Sequence, residues 1–475
     1  MFTKISPKHI EQFQNIVGKE NVLFDTDSLS NYSHDETEDL KFLPEVVLKP
    51  NSAEQISEIL KLCNKELIPL TPRGAGTGLS GGALPVFGGV ILSTERLNKI
   101  LEIDERNLQA TAEPGVITQV FQEAVIEKGL FYPPDPSSRG SCFLGGNLAE
   151  SAGGPRAVKY GVTKEYVLNL EMVLPTGEII WTGANVLKNS TGYNLTQLIV
   201  GSEGTLGVIT KIVFKLLPHP KKNVVMLVPF FSAEKASEAV SAVFRAGVIP
   251  SALEFMERDA IDFAHLHLLP KGGVHWQKVL PFGKDLGWAA FLLIEVDGND
   301  LEVMMKEVER ITEVMEKYEC GEILFADTEE QKENLWRMRR CLGEAVKSHS
   351  VYKEEDTVVP RAELPKLLAG VKAIGKKYGF KSVCYGHAGD GNLHVNIIKA
   401  EMSDNNWNNE IPKAIREIFT VCKELKGTIS GEHGIGWVQK NYMDIAFHPK
   451  AILLQKEIKK LFDPNGIMNP GKMFV

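Results

Sequence analysis

The residues with the clearest chemical potential are two histidines in KSVCYGHAGDGNLHVNII (381–398), His387 and His394. Asp390-Gly391 lies between two β-type runs and signals a two-residue type I′ hairpin turn. Such a turn pairs 389 with 392, 388 with 393, and His387 with His394. Opposed residues of a hairpin carry Cβ atoms about 5 Å apart on one face, so the two imidazoles could share a divalent ion. Asn396 follows on the same face. A third ligand is required, and GTISGEHGIGW (427–437) offers Glu432 beside His433, with Gly431, Gly434 and Gly436 allowing close approach to a substrate. Lone histidines are ordinarily structural, but a hairpin-paired couple together with a glycine-flanked Glu-His reads as a site. Such a ligand set suits zinc, manganese or iron, with zinc favoured.

A cation with an unusual position is Arg339. The segment TEEQKENLWRMRRCLGEAVKSH (328–349) reads as one helix. At about 100° per residue from Leu335, Leu342, Val346 and Arg339 share the apolar stripe, while Arg337 and Arg340 turn towards solvent. A buried guanidinium needs an anionic partner. Two readings stay open: an internal ion pair, or a clamp on a substrate carboxylate.

Three glycine-rich segments come earlier: PRGAGTGLSGG (72–82), PPDPSSRGSCFLGGNLAESAGGPRAVKYG (133–161) and GSEGTLGVIT (201–210). The stretch from Gly76 to Gly81 matches GxGxxG literally, but it runs into Gly-Gly-Ala-Leu-Pro rather than a helix, which excludes a Rossmann loop. No GKS or GKT follows, which excludes a nucleotide-hydrolysing P-loop. Converging backbone N–H groups form an anion nest, with Arg73 beside it. Three such loops in one region point to backbone wrapped around a large cofactor.

The elements that must position these residues fall into two textures. Residues 43–217 alternate short β-branched runs with few helices; Ser52 and Gln55 mark the start of one helix, and Pro175-Thr176-Gly177 joins two strands. From PHPKKN, near residue 218, strands alternate with long amphipathic helices, as in an α+β domain. The boundaries read as 1–220, 221–438 and a C-terminal helix and tail, 439–475. With 475 residues, 43% hydrophobic and 24% charged, the chain has the composition of a multidomain globular protein. A net charge of −8 argues against a nucleic-acid surface. The six cysteines are scattered without CxxC pairs, MFTKISPKHIEQF has no apolar core of a signal peptide, and apolar runs such as Trp288 to Val296 fall short of a bilayer span. A cytoplasmic location is therefore expected.

The ordered set of glycine segments resembles the FAD-binding domain of the vanillyl-alcohol oxidase type, in the branch of D-lactate dehydrogenase, glycolate oxidase subunit and D-2-hydroxyglutarate dehydrogenase. The resemblance spans nearly the whole chain and implies an α+β fold, with a two-subdomain FAD-binding domain and an α+β cap that receives the substrate. It implies that Arg73, Gly74, Ala75, Gly76, Thr77 and Gly78 cradle the pyrophosphate. Pro134, Gly146, Asn147, Ser151, Gly154, Gly204, Val208, Ile209 and Asn469 would line the FAD. Covalent relatives carry His where Thr77 stands, so the flavin is expected to be non-covalent. By the same likeness His387, His394 and Glu432 are metal ligands, His433 is the base, and Arg339, Lys353 and Asn396 serve the substrate. The implied reaction is oxidation of a small 2-hydroxy acid, with electrons passed to a quinone, cytochrome or electron-transfer flavoprotein. A homodimer and peripheral membrane contact are left open. Hydroxyglutarate-type relatives have Thr where this chain has Gly343, which tilts the expected substrate towards lactate-sized acids. Alternatives are an alkyl-dihydroxyacetone-phosphate synthase type, whose run of consecutive histidines is absent here, and a metal-dependent hydrolase.

Overall fold

The computed structural model describes residues 2–268 and 287–475, which form two compact units. Unit 1 comprises Met1–Gly153, Val162–His219 and Glu432–Val475; unit 2 comprises Gly154–Gly161 and Pro220–Gly431. The chain crosses between them at Gly431, so Glu432 and His433 fold with unit 1.

Unit 1 holds two principal sheets. Strands β1 (Val22–Leu23), β2 (Val46–Leu48), β3 (Leu70–Arg73) and β4 (Val90–Ser93) line up in the order β1-β2-β4-β3. The pairs β2/β4 and β3/β4 are parallel, and β1 is an antiparallel edge. Parallel strands need a crossover connection, and the helix Ala53–Glu66 carries the chain from β2 to β3, which flank β4. Ser52 Oγ accepts the Gln55 N–H at its start, and Ile56, Ile59, Leu60 and Cys63 pack on Val46, Leu48, Leu70 and Val90. The second sheet is antiparallel: β5 (Ile100–Asp104), β6 (Gln109–Ala112), β8 (Val167–Val173), β9 (Ile179–Trp181) and β10 (Val208–Lys215), in the order β5-β6-β10-β8-β9. Val173 pairs with Ile179 across the expected Pro175-Thr176-Gly177 turn. Strand β7 (Leu130–Phe131) pairs with β11 (Leu217–Pro218). The C-terminal tail returns to the first sheet, where Met468 bridges Leu70 and is buried with Ile467 in its core.

Unit 2 is built on one antiparallel sheet. Its strands are β12 (Lys222–Phe230), β13 (Ala252–Glu257), β14 (Ala290–Gly298), β15 (Leu324–Phe325), β16 (Tyr352–Val358), β17 (Lys381–Gly386) and β18 (Asn392–Ile398). Their order is β15-β12-β14-β13-β17-β18-β16. Side chains alternate across a strand, and both faces are covered. Tyr385 and Val383 pack with Leu335, Trp336, Leu342 and Val346 from one set of helices, whereas Cys384 meets Lys372 of the helix Leu364–Tyr378.

The expected single helix over 328–349 is two helices, Glu329–Arg340 and Leu342–His349, broken at Cys341. The break keeps Leu335 and Met338 of one piece, and Leu342 and Val346 of the other, buried against the same sheet face. Apolar phase is blind to such a bend because both pieces keep it. No helix among the described residues is long and apolar enough to cross a membrane.

None of the six cysteines is in a disulfide; Cys63, Cys142, Cys384 and Cys422 are buried, and Cys320 and Cys341 are partly exposed. Burial pushes the Cys63 and Cys384 thiols far above their usual range and the Cys422 thiol up to about 12. A thiol-reactive chromophore should therefore label Cys320 and Cys341 in the native protein, and the other four only after unfolding. Fast native labelling at Cys63 or Cys384, read by peptide mapping, would contradict this packing.

Candidate active site

In unit 2 the polar side chains gather on one sheet face. Met256 pairs with Tyr385, Tyr385 with His394, His394 with Asp356, and Asn396 with Glu354. Paired residues share a face, so Glu254, Tyr385, His394, Asn396, Glu354 and Asp356 all lie on the face that the helix Glu329–Arg340 covers.

The hairpin register differs from the expected one. Tyr385, not His387, pairs with His394. Asp390-Gly391 does not form a two-residue turn: Ala388–Asp390 make a 3-10 turn, closed by Gly391 at φ 87°. The slip is two residues, and a slip of two preserves the face while a slip of one reverses it. His387 and His394 accordingly still meet, with ring centroids 5.4 Å apart and planes at 83°.

Glu254 ties the cluster together. It is 0% exposed; its Oε2 lies 2.6 Å from Arg339 Nη2 and 2.8 Å from His387 Nδ1. Arg339 is thus buried as its helical phase predicts, and it makes the internal ion pair that was one of its two readings. Its Nε is nevertheless buried without a hydrogen-bond partner among the described residues, as is Oδ1 of the fully buried Asn396. Of the two flanking arginines, Arg337 is exposed as expected. Arg340 departs from that expectation, lying half-buried over the Trp336 ring at 5.2 Å.

The carboxylates Glu354 and Asp356 flank His394, with Oε1 and Oδ1 at 3.4 Å and 3.9 Å from its Nδ1. Tyr385 O–H reaches Glu354 Oε1 at 3.4 Å, and burial raises its pKa well above the usual phenol value. Asp356 accepts from Asn392 Nδ2, Ser430 Oγ and the Gly431 N–H at 2.6, 3.0 and 2.7 Å. Lys353 is a correction. It stands one residue from Glu354 in β16 and so takes the opposite face, with its Nζ 5.5 Å from the Trp407 ring centroid. Strand parity removes it from this cluster. Sequence reading missed Glu254, Glu354, Asp356 and Tyr385; the available signals were Glu254 inside the apolar run of β13 and the consecutive acidic residues Glu354, Glu355 and Asp356 in β16.

In unit 1 the glycine segments converge. A Cβ at Gly74 would touch Gly146 N and Phe143, one at Gly204 would touch Pro72, and Asn469 Nδ2 donates to the carbonyls of Gly82 and Glu203. Ala75, Thr77 and Gly78 share the loop leaving β3, and Val208 and Ile209 open β10 beside a bulge. Gly76 has φ 75°, and a side chain there would strike the Arg73 guanidinium at 2.2 Å. Ser151 and Asn469 hold left-handed backbone at φ 54° and 40°, the kind of strain that clusters at ligand sites. The side-chain donor of Asn147 is spent on Thr118 Oγ1 at 2.6 Å, and the Pro134 carbonyl accepts from Gln122. Gly154 clusters with unit 2. Arg73 gives one N–H to the His34 carbonyl, while its Nη1 and the Ser151 Oγ are buried without partners among the described residues. Orphaned donors beside glycine backbone fit an anionic cofactor.

The Glu432–His433 turn lies in unit 1. Glu432 Oε2 accepts the Gly153 N–H at 3.2 Å, and Glu203 accepts the N–H groups of Ile435 and Gly436 at 2.7 and 2.6 Å. Burial, and then the neighbouring Glu203, raise the Glu150 pKa well above the usual carboxyl value. Burial raises Glu203 too, opposed by the two amides it accepts. Burial lowers the Lys472 pKa to about 8.

Residues 44–183 match the FAD binding domain family, and residues 219–473 match the family of FAD linked oxidases, C-terminal domain. The chain belongs to the FAD-linked oxidases. The glycolate oxidase subunit GlcD of Bacillus subtilis is 38% identical, covering 98% of this chain and 96% of the relative. The D-lactate dehydrogenase of Anaerostipes hadrus is 37% identical, over 99% and 98%. The D-2-hydroxyglutarate dehydrogenase of Stutzerimonas stutzeri is 33% identical, over 98% and 99%. Among solved structures, p-cresol methylhydroxylase superposes with a TM-score of 0.80 at 20% identity, covering 98% of this chain and 96% of that one. An alkyldihydroxyacetonephosphate synthase gives 0.76 at 19%, covering 99% and 86%. At those identities the likeness shows the fold alone, which is the expected vanillyl-alcohol oxidase type. This FAD-linked oxidase is an oxidoreductase of the hydroxy-acid dehydrogenase branch, acting on CH–OH groups, as the motifs implied.

Removing one partner from a buried ion pair strands the other. Glu254→Gln should therefore destabilise this FAD-linked oxidase by about 3–5 kcal/mol, seen as a lower urea midpoint. The double variant Glu254→Gln/Arg339→Leu should recover part of the loss. A single variant that unfolds at the wild-type midpoint would show that the pair does not hold this face.

Proposed function

We propose that this FAD-linked oxidase converts a lactate-sized D-2-hydroxy acid to the 2-keto acid, with a divalent metal held by His387, His394 and Glu432 and with His433 as base. The observation that carries the reading is Glu254 bound at once to Arg339 and to His387 Nδ1. A carboxylate on one imidazole nitrogen orients the other as a metal ligand, the usual outer shell of a histidine metal site. Two histidines and one carboxylate suit zinc ahead of manganese or iron.

When bound, FAD supplies the acceptor for the hydride, and the metal supplies Lewis-acid polarisation of the substrate hydroxyl. Arg339 directs its remaining Nε–H at the substrate carboxylate, and Asn396 Oδ1 accepts a hydrogen bond from the bound ligand. Neutral His433 takes the hydroxyl proton on an imidazole nitrogen. Arg73, the loop Gly74–Gly78 and Ser151 would hold the diphosphate. Thr77, in the place of the histidine of covalent relatives, supports a non-covalent flavin. Gly343 lies against Tyr385, where a Cβ would meet the hydroxyl at 3.3 Å, so a longer residue would crowd the site face. Electrons pass on to a quinone, cytochrome or electron-transfer flavoprotein, and the enzyme acts in the cytoplasm.

His433→Ala should give a yellow protein whose flavin is not bleached by D-lactate without oxygen. Normal bleaching by that variant removes His433 from the base role. Chelation should abolish turnover while the flavin absorbance of the bound FAD persists; full activity in a demonstrably metal-free sample would falsify the metal assignment.

A further inference from the structure

Resting on that reading, we propose that Glu203 is a positioning residue: with Glu150 packed beside it, it fixes the turn that presents Glu432 and His433. All the groups involved lie in unit 1. Glu203 is buried, and both its oxygens are committed to consecutive amides of the turn, Ile435 N–H and Gly436 N–H at 2.7 and 2.6 Å. Its own backbone is pinned by a left-handed φ of 52°, by its N–H on the Ala149 carbonyl, and by its carbonyl under Asn469 Nδ2. The turn is held on three sides: Gly153 N–H on the Glu432 carboxylate, Glu203 at 435 and 436, and the Ser80 carbonyl accepting from Trp437 N–H and Val438 N–H. His433 sits between the first two anchors.

The glycines of GEHGIG follow from this contact. A Cβ at Gly434 would lie 1.9 Å from Glu150 Oε2 and 3.1 Å from Glu203 Oε1, and one at Gly436 would lie 2.2 Å from the Ser80 carbonyl oxygen. Both hold positive φ, 78° and 51°. They are small because carboxylates and backbone press on the turn from unit 1, whereas the sequence reading assigned them to substrate approach. A carboxylate is a costly anchor to bury, since its desolvation is recovered only by strong, well-aimed donors. Two adjacent amides aimed at one carboxylate fix the peptide planes on the C-terminal side of His433, and orientation of that kind governs rate more than binding.

The test pairs Glu203→Gln with Gly434→Ala and runs His433→Ala alongside, using anaerobic reduction of the bound flavin over a range of D-lactate concentrations. Gln keeps the shape of Glu203 but presents an N–H to one of the two amides, and the new methyl at 434 displaces the turn. Both variants should retain FAD, and their limiting reduction rates should fall about tenfold or more, by a larger factor than any rise in the half-saturating D-lactate concentration, because Arg339 is untouched while Glu432 and His433 share the displaced turn. A purely structural role would lower FAD content and thermal stability without that split. If Glu203→Gln does not fold, Gly434→Ala decides. Wild-type limiting rates in the folded variants, with His433→Ala inactive, overturn the role of Glu203. A wild-type rate in His433→Ala overturns the underlying reading of the base instead.

Discussion

A carboxylate with no solvent access, shared between a guanidinium and an imidazole, is the constraint on which unit 2 depends. Glu254 comes from β13, Arg339 from a helix across the sheet face, and His387 from the end of β17. Burying the Glu254 carboxylate or the Arg339 guanidinium without a partner would be costly, so the folded core has to hold the three elements in register. The same contact does chemical duty: it fixes one nitrogen of His387 and leaves Arg339 Nε buried without a partner among the described residues.

Unit 1 solves a different problem with the same physics. Its binding surface is mostly backbone, and backbone donors can converge only where side chains are missing. Glycines at the contacts of 74, 76 and 204 give that freedom, while Arg73 Nη1 and Ser151 Oγ stay buried without partners among the described residues. An orphaned buried donor costs about 1–3 kcal/mol. Two such donors among converging loops make sense when a diphosphate is the missing acceptor.

Much of this was legible from local pattern, and the failures have local causes. Helical phase put Arg339 inside the core because 100° per residue is a property of one segment. The His387–His394 meeting survived a wrong register because the error was two residues, an even number in a structure of period two. Lys353 failed for the complementary reason: it neighbours Glu354 in sequence, and a strand sends neighbours to opposite faces. The break at Cys341 was invisible because both helices keep their apolar faces. Glu254 could not have been linked to Arg339 or His387 from sequence, since those pairings span 85 and 133 positions and depend on the order of the sheet.

The charge on the site face adds the last step. Glu254, Glu354 and Asp356 lie on it with one guanidinium, Arg339, so with all four ionised and the imidazoles neutral the face carries two net negative charges, three less one. Asp356 accepts hydrogen bonds from Asn392, Ser430 and Gly431. A face with that surplus repels a hydroxy-acid carboxylate on its own, and Arg339 is already partly neutralised by Glu254. Under the proposed reading, a divalent cation beside the two histidines would offset that surplus. Gly431, anchored to Asp356, is followed directly by Glu432. The last residue of unit 2 is therefore tied to β16, the strand that pairs with β18 and its His394.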